Sequence, residues 1–340
     1  MQRAREAEVV ISYNGQEITA SIKDSLLDLS YSDNPAGQID DLQISLEDRH
    51  QKWQGPWSPA EGDSVSASIR LINWDYSLKT ISFPLGTFEV DSVALSGPPD
   101  VVKIKALSLP GGTSVKQERR SQGWEKISLR AIAQDIAKRA KLKLLYDAPD
   151  NPIYERIDQM EQSDMAFLLD TCTKEGIALK VSSGKLVLFD EATYEKQNVV
   201  ATITRGIDAI INYSFSWSTT DSAYRACQIT YADSKKHKEI KVVYTPPGAP
   251  KQGPMLKINE SVNSEGEALR LASKRLREQN KNFGRASLQL AGDVRLSTGL
   301  TINLVGWGRY DGKYIIERAE HSVGGGGYST SVDIRMVLGW

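Results

Sequence analysis

The chain has 340 residues, 40% of them hydrophobic and 25% charged, with a formal net charge of -1. That length supports two or three cores instead of one small module, and the near-neutral balance excludes a global basic field that would draw nucleic acid or anionic membranes without shape recognition. No stretch nears the roughly 20 consecutive apolar residues that span a bilayer, and the start, Met1 to Glu6, runs into a polar strand-like segment instead of a signal core. A soluble protein made in a cytoplasm is expected.

In chain order, Val9 to Leu109 reads as short runs alternating apolar and polar residues, cut by Asn-Gly, Asp-Asn-Pro, Gly-Asp and Gly-Pro-Pro turns. This predicts an antiparallel β domain. Ser66 to Asn73, Gly86 to Leu95 and Val101 to Leu107 each have the period of two that turns one face inward. Pro110 to Ser114 ends the block, and the period then becomes helical. Ser128 is an N-cap for a helix burying Leu129, Ile132, Ala133, Ile136, Ala137 and Ala140. Ser163 starts a second helix with Met165, Leu168, Leu169 and Cys172 on its stripe, and Gly176 is its left-handed stop. Ile177 to Val181 and Lys185 to Phe189 flank a Ser-Ser-Gly hairpin turn. Lys116 to Lys143 is rich in Lys and Arg, and Asp147 to Asp170 in Asp and Glu. Two solvated faces that partly neutralise each other are expected, with a docking surface as the alternative.

Strands return at Ala209 to Ser216, Tyr224 to Tyr231 and Glu239 to Tyr244, with Ser234 to Glu239 as a charged hairpin tip. Ser264-Glu-Gly-Glu267 is a capping box. It opens a helix whose Ala268, Leu271, Ala272 and Leu276 are expected to pack on the core of the last β domain. Three more strand-like runs follow. The division read from these shifts is 1–114, 115–198 and 199–340.

Candidate chemistry is sparse. Cys172 and Cys227 both sit in apolar-periodic segments and read as reduced core residues, not as a disulfide or metal pair. His50, His237 and His321 have no second ligand at metal-binding spacing, so no metal and no cofactor is predicted. There is no Gly-x-Ser-x-Gly elbow. Asp40, Asp41 and Asp48 could form an acid and base pair of a glycan or peptide hydrolase. The simpler reading is a strand with charged outward residues and Leu42, Ile44 and Leu46 inward. The tryptophans, including Trp53 and Trp57, are scattered and read as buried or interface anchors.

His321 stands beside four glycines, Gly324 to Gly327, as a phosphate loop or a catalytic corner might. An internal echo gives another answer. Gly86-Thr-Phe-Glu-Val-Asp-Ser-Val-Ala-Leu-Ser96 and Gly312-Lys-Tyr-Ile-Ile-Glu-Arg-Ala-Glu-His-Ser322 share glycine, aromatic, β-branched, acidic, small apolar and serine positions. A turn and a second strand follow each, aligned as Val102 to Lys105 against Val332 to Arg335, and Pro59 to Gly62 matches Leu296 to Gly299 upstream. Two copies of one β unit are expected. His321 is then a strand residue and the glycines a hairpin loop, because a phosphate loop needs a helix after it and a strand follows here.

Asp41 to Asp48 with Trp53 and Pro59 to Asp63 resembles the N-terminal signature of the phage late-control protein D family, the baseplate hub proteins of contractile tails. The resemblance continues through Ser128 to Ala137, Gln162 to Leu168 and Glu175-Gly176. It is strongest at Glu267 to Ala272, Gly292-Asp293, Gly299, Gly306 to Gly308 and Asp311 to Tyr314. The details look closest to hubs of Gram-positive phages and phage-like tail particles.

The resemblance implies an α+β, mainly β fold: two tail-tube-like antiparallel β-barrel domains with a small α+β domain between them. It implies a homotrimeric, non-enzymatic adaptor that meets a sixfold tail tube and a threefold central spike, with other baseplate proteins and a tape measure protein as further partners. Its place would be the tail of a virion or phage-like particle, assembled in the bacterial host cytoplasm, with no small-molecule substrate and no membrane insertion. Because the chain ends at Trp340, a spike or lytic activity is expected on a separate polypeptide. Asp48, Trp53, Trp57, Trp307 and Tyr310 are the expected partner-interface residues. Leu129 to Leu142 is similar to the helix of LysM modules, which makes peptidoglycan binding the second reading.

Overall fold

The computed structural model describes residues 4–74, 78–108, 118–218, 222–233, 238–249, 251–260, 262 and 264–340. The 114/115 boundary, His237 and most of the charged tip at 234–239 lie outside them. The first block holds β1 (Glu6–Tyr13), β2 (Gln16–Glu17), α1 (Thr19–Ile22), β3 (Leu26–Asp33), β4 (Asp41–Glu47), β5 (Ser64–Ile72), β6 (Thr80–Ser96) and β7 (Val101–Leu107). Alternation sorts its side chains. Leu42, Ile44 and Leu46 of β4 point into one core with Ile69 and Leu71 of β5 and Val102 and Ile104 of β7.

The middle block comprises β8 (Arg119–Ser128), α2 (Leu129–Arg139), β9 (Lys143–Asp147), β10 (Ile153–Ser163), α3 (Asp164–Lys174), β11 (Ala178–Ser182), β12 (Lys185–Phe189) and α4 (Glu191–Glu195). Both N-caps are as the sequence predicts: Ser128 Oγ accepts from Ala131 N and Ser163 Oγ from Ala166 N. Gly176 has φ +62°, and Ser183 and Gly184, at φ +50° and +70°, turn β11 into β12 with the two left-handed residues of a tight hairpin. The sequence reading lacks β8 and β10, which pair with each other. Their largely polar faces carry no apolar alternation. Part of the charge split is neutralised internally, since Arg139 grips Asp164 through two bonds of 2.7 and 3.1 Å.

The last block contains β13 (Ala201–Thr204), β14 (Ile210–Trp217), β15 (Ala226–Asp233), β16 (Lys238–Tyr244), β17 (Met255–Asn259), α5 (Glu265–Asn280), β18 (Gly284–Ala291), β19 (Thr301–Val305), β20 (Gly312–Gly324) and β21 (Gly327–Met336). The structure corrects one expectation in this block. α5 does not pack on its β core. Ala268, Ala272 and Leu276 face the separate sheet β16-β15-β17, in a cluster with Cys227, Ile229 and Val242. Leu271 is only half-buried there. Leu276→Ala is therefore expected to cost about 2 to 5 kcal/mol as a cavity mutation, and Leu271→Ala clearly less, measured by chemical denaturation.

The echo is a structural duplication. The first copy runs β3-β4-β7-β6-β5-β1 across the sheet, and the second runs β14-β18-β21-β20-β19-β13 in the same order. The fine structure repeats too. The β6/β7 register slips between Val90 and Ser92, and the β20/β21 register at the matching Ile316 and Arg318. Gly62 and Gly299 share φ +84°. Each donates its N–H to the matching carbonyl, Val90 at 3.0 Å and Ile316 at 2.9 Å. The pairing also corrects the echo's last strand by two residues: Val93 faces Ile104 where Ala319 faces Val332, so Val332 matches Ile104, not Val102. One feature differs, since β1 runs antiparallel to β5 whereas β13 runs parallel to β19.

The two copies are not separate rings among the described residues. β20 of the second pairs antiparallel with β3 of the first, from Ala319 opposite Asp33 to Gly324 opposite Asp28, giving one 13-stranded sheet. His321 lies in this junction, fully buried. Its Nε2 donates to the Leu296 carbonyl at 3.0 Å, which leaves Nδ1 to accept from the Tyr328 hydroxyl at 2.8 Å. Burial pushes the imidazole below its ordinary value, with the Leu296 carbonyl working the other way. Gly324 pairs with Gly327 as the closing rung, so the glycine tetrad is the hairpin turn.

Gly292 explains its own identity: a Cβ there would lie 1.9 to 2.3 Å from the Tyr328 ring. Gly292→Ala is expected to cost roughly 1 to 3 kcal/mol by overpacking, seen as a lowered melting temperature. Gly325→Ala, in open space, should leave melting unchanged.

Candidate functional site

Among the sheet edges left open in the described residues are those of β14 and of the end of β6. β14 pairs with β18 on one side only. β6 pairs with β7 along Glu89 to Ser96, but β5 covers its other side only up to Glu89, leaving Asp91 to Ser96 as an edge. Both edges carry exposed apolar side chains. Val93 and Leu95 are 40% and 52% exposed, and Tyr213 and Trp217 39% and 43%. β14 has neither charge nor proline, the usual guards of a solvent edge.

The aromatic surface of β14 is braced from behind. Phe215 stacks on Tyr310 at 5.0 Å between centroids and lies 5.6 Å from Trp307, which also meets Tyr213 at 5.9 Å. The Arg309 guanidinium sits 4.4 Å over Trp217, and Arg205 5.4 Å over Tyr213, in cation–π geometry. Trp307 is buried and braces β14, whereas Tyr310 is half-buried and keeps part of its ring at the surface.

The other three candidates stand beside the β6 edge. Asp48 is buried, and its carboxylate accepts from Trp53 N at 3.1 Å and Gln54 N at 3.2 Å, folding the loop that follows β4. The backbone N of Asp48 donates to Asp100 O, and Gln54 Nε2 to the Asp100 carboxylate at 3.0 Å, which fastens the loop to the turn ending β6. Trp53 is buried edge-on against the exposed Trp57 at 5.5 Å, and Lys52 Nζ lies 4.8 Å over the Trp57 ring. The five residues thus fall into two groups, each supporting one open edge. Val93, Leu95, Tyr213, Phe215 and Trp217 were not among the candidates. The echo could have found the first two, because their counterparts Ala319 and His321 lie in the buried junction.

Asp40 and Asp48, weighed as catalytic acids, have structural partners. Lys180 Nζ, from β11, forms ion pairs with Asp33 and with Asp40 at 3.1 Å and donates to Asn34 O at 2.6 Å. Burial pushes the Asp40 carboxyl above its ordinary value, with Lys180 acting against the shift. Asp33 also accepts from Thr298 N at 2.7 Å. One carboxylate thus joins the first copy, the second copy and the middle block. Cys172 and Cys227 are free and buried, and burial pushes their thiols to about 12 and about 11.

No protein-family model matches the chain. It is 22% identical, over 97% of its length and 92% of the relative's, to the "Probable baseplate hub protein" of Escherichia phage 186. It is 29% identical to the protein of the same description in Escherichia phage P2, over 53% of this chain and 44% of that one. Both relatives are from Escherichia phages, whereas the sequence reading expects hubs of Gram-positive ones. Among solved structures, the tail protein from Neisseria meningitidis MC58 superposes with TM-score 0.73 at 13% identity, over 98% of both chains. The Escherichia coli c3393 protein superposes with TM-score 0.58 at 12% identity, over 97% of this chain and 78% of that one. It is a type VI secretion component with structural similarity to T4 tail proteins gp27 and gp5. In sequence this chain is similar to one phage baseplate hub protein over nearly its whole length and to a second over about half, and its fold is that of phage tail proteins.

Proposed function

We propose that the chain is a structural baseplate hub of a contractile tail or phage-like particle, without enzymatic activity, dividing at about residues 114 and 198 into two tube-like units and a middle domain. Three copies form an adaptor between a sixfold tail tube and a threefold central spike. The duplication carries this reading: two equivalent six-stranded units per chain, multiplied by three chains, give six equivalent faces on a threefold assembly. The baseplate hub relatives support it, as does the internal occupation of Asp40 and Asp48. The surfaces around Trp57 and behind β14 are the contact regions with neighbouring tail proteins.

Light scattering over a tenfold concentration range, with and without candidate tube and spike proteins, tests the reading. The expected mass is three times 37.6 kDa. A monomer under every condition, or co-sedimentation with purified peptidoglycan as a monomer, would overturn it in favour of wall binding.

A further inference from the structure

The chain contains a finished copy of a joint whose two halves are also displayed, unjoined, at two of its open sheet edges. In the finished joint the second half of β20 pairs with β3. The β6/β7 and β20/β21 registers match Val93, Ala94, Leu95 and Ser96 to Ala319, Glu320, His321 and Ser322. β14 matches β3 just as closely. Both slip by one residue against their neighbour, between Leu26 and Asp28 and between Ile210 and Asn212, which equates Ser30, Tyr31, Ser32 and Asp33 with Ser214, Phe215, Ser216 and Trp217. The exposed apolar residues of both edges occupy positions that the finished joint buries. Val93 and Leu95, 40% and 52% exposed, correspond to Ala319 and His321, both fully buried. Tyr213 and Trp217, 39% and 43% exposed, correspond to Leu29 and Asp33 at 0% and 7%.

We propose that β14 of one chain adds antiparallel to the Asp91–Ser96 edge of the next copy in the register of the internal junction. Val93 faces Trp217, Ala94 faces Ser216, Leu95 faces Phe215 and Ser96 faces Ser214. The number of copies in the ring rests on the hub reading, whereas the register rests on the duplication alone. A second copy of this chain is the fitting occupant because the chain already makes this contact once with itself. The two edges differ, so the contact is head-to-tail, and it leaves neither of these two edges unpaired only when the ring closes. Leu95 against Phe215 replaces the His321 and Tyr31 pair with an aliphatic–aromatic one suited to a cross-strand position. The pairing stops at Pro98, which has no N–H to give.

Paired cysteines read the register. Ala94 and Ser216 are both exposed and small, and directly opposite residues bring their Cβ atoms to roughly 4.5–5.5 Å. The native thiols are buried and stay silent under mild oxidation. The full-length A94C/S216C variant is expected to give disulfide-linked dimers and trimers on a non-reducing gel and nothing longer, with the A94C/S214C pair linking at least fivefold less. Wild-type mass is measured in the same buffer. A trimer whose A94C/S216C variant does not cross-link, or in which A94C alone links as strongly, would overturn the register while the hub reading stands. Covalent ladders beyond three would overturn closure of the ring, and a monomeric wild type without cross-links would overturn both.

Discussion

Lys180→Met is expected to cost about 3 to 5 kcal/mol in chemical denaturation, the penalty for stranding buried charge. Lys180 is 8% exposed and, among the described residues, the cation paired with both Asp33 and Asp40. Removing it leaves two buried carboxylates uncompensated, and the loss from a broken buried pair is far above that from a surface one. The pH dependence has a definite sign. The folded carboxyl of Asp40 already lies above its ordinary value of 3.8 because burial outweighs the attraction of Lys180. A raised carboxyl favours the folded state while protonated, so its contribution is full below that value and fades as pH rises through the folded one. Without Lys180 the fading continues to higher pH. The deficit of K180M should therefore be smallest in mild acid and grow toward neutrality. Adding Asp40→Asn should recover part of the loss, with a coupling energy above about 0.5 kcal/mol in a double-mutant cycle. Equal losses at pH 4 and pH 7 would contradict this account.

Arg335→Met is expected to cost about 3 kcal/mol, the lower end of the same range. Arg335 is 1% exposed and is held by Glu195 at 2.6 Å, Glu191 at 2.8 Å and Glu317 at 3.1 Å. The cluster ties β21 to α4 and to the slipped residue of β20. Each carboxylate keeps a second cation, Arg277 for Glu195, Lys281 for Glu191 and Arg285 for Glu317, so none is stranded as Asp33 and Asp40 are. Arg335→Lys should recover little, because an ammonium is a point charge and cannot span three carboxylates as a guanidinium does. Burial works to raise the Glu195 carboxyl, and Arg335 and Arg277 outweigh it and hold it below its ordinary value of 4.5. A lowered carboxyl contributes its stability above the unfolded value and loses it as pH falls through the folded one. The gap between wild type and R335M should thus shrink in acid, as at Lys180 but at lower pH, because the Glu195 carboxyl is held below its ordinary value and the Asp40 carboxyl lies above its own. Thermal melts across pH 3 to 7 separate the two.

What depends on neighbours a few residues apart was legible in the sequence. Ser128, Ser163 and Ser264 cap their helices because a hydroxyl reaches an amide three residues on, whatever the rest of the chain does. The period of two placed Leu42, Ile44 and Leu46 inside, and the echo between residues 86–96 and 312–322 disclosed a duplication, because like strands with like bulges need like residues. Which strands meet was settled only by folding. β3 lies nearly 300 positions from β20, and their pairing depends on which edges the completed copies leave open. Nothing near Lys180 in the predicted hairpin marks it as buried, and Asp33, 147 positions away, is brought to it only by folding. β8 and β10 carry no apolar alternation because most of their side chains stay exposed or half-exposed, with only Trp124 and Gln159 buried. α5 has the stripe the sequence predicts, but a stripe says only that a helix is covered, and the sheet of β15, β16 and β17 covers it here. Local codes are read from adjacent side chains. Edges, joints and buried charge pairs exist only once distant segments share a surface, and the candidate site belongs to that second kind.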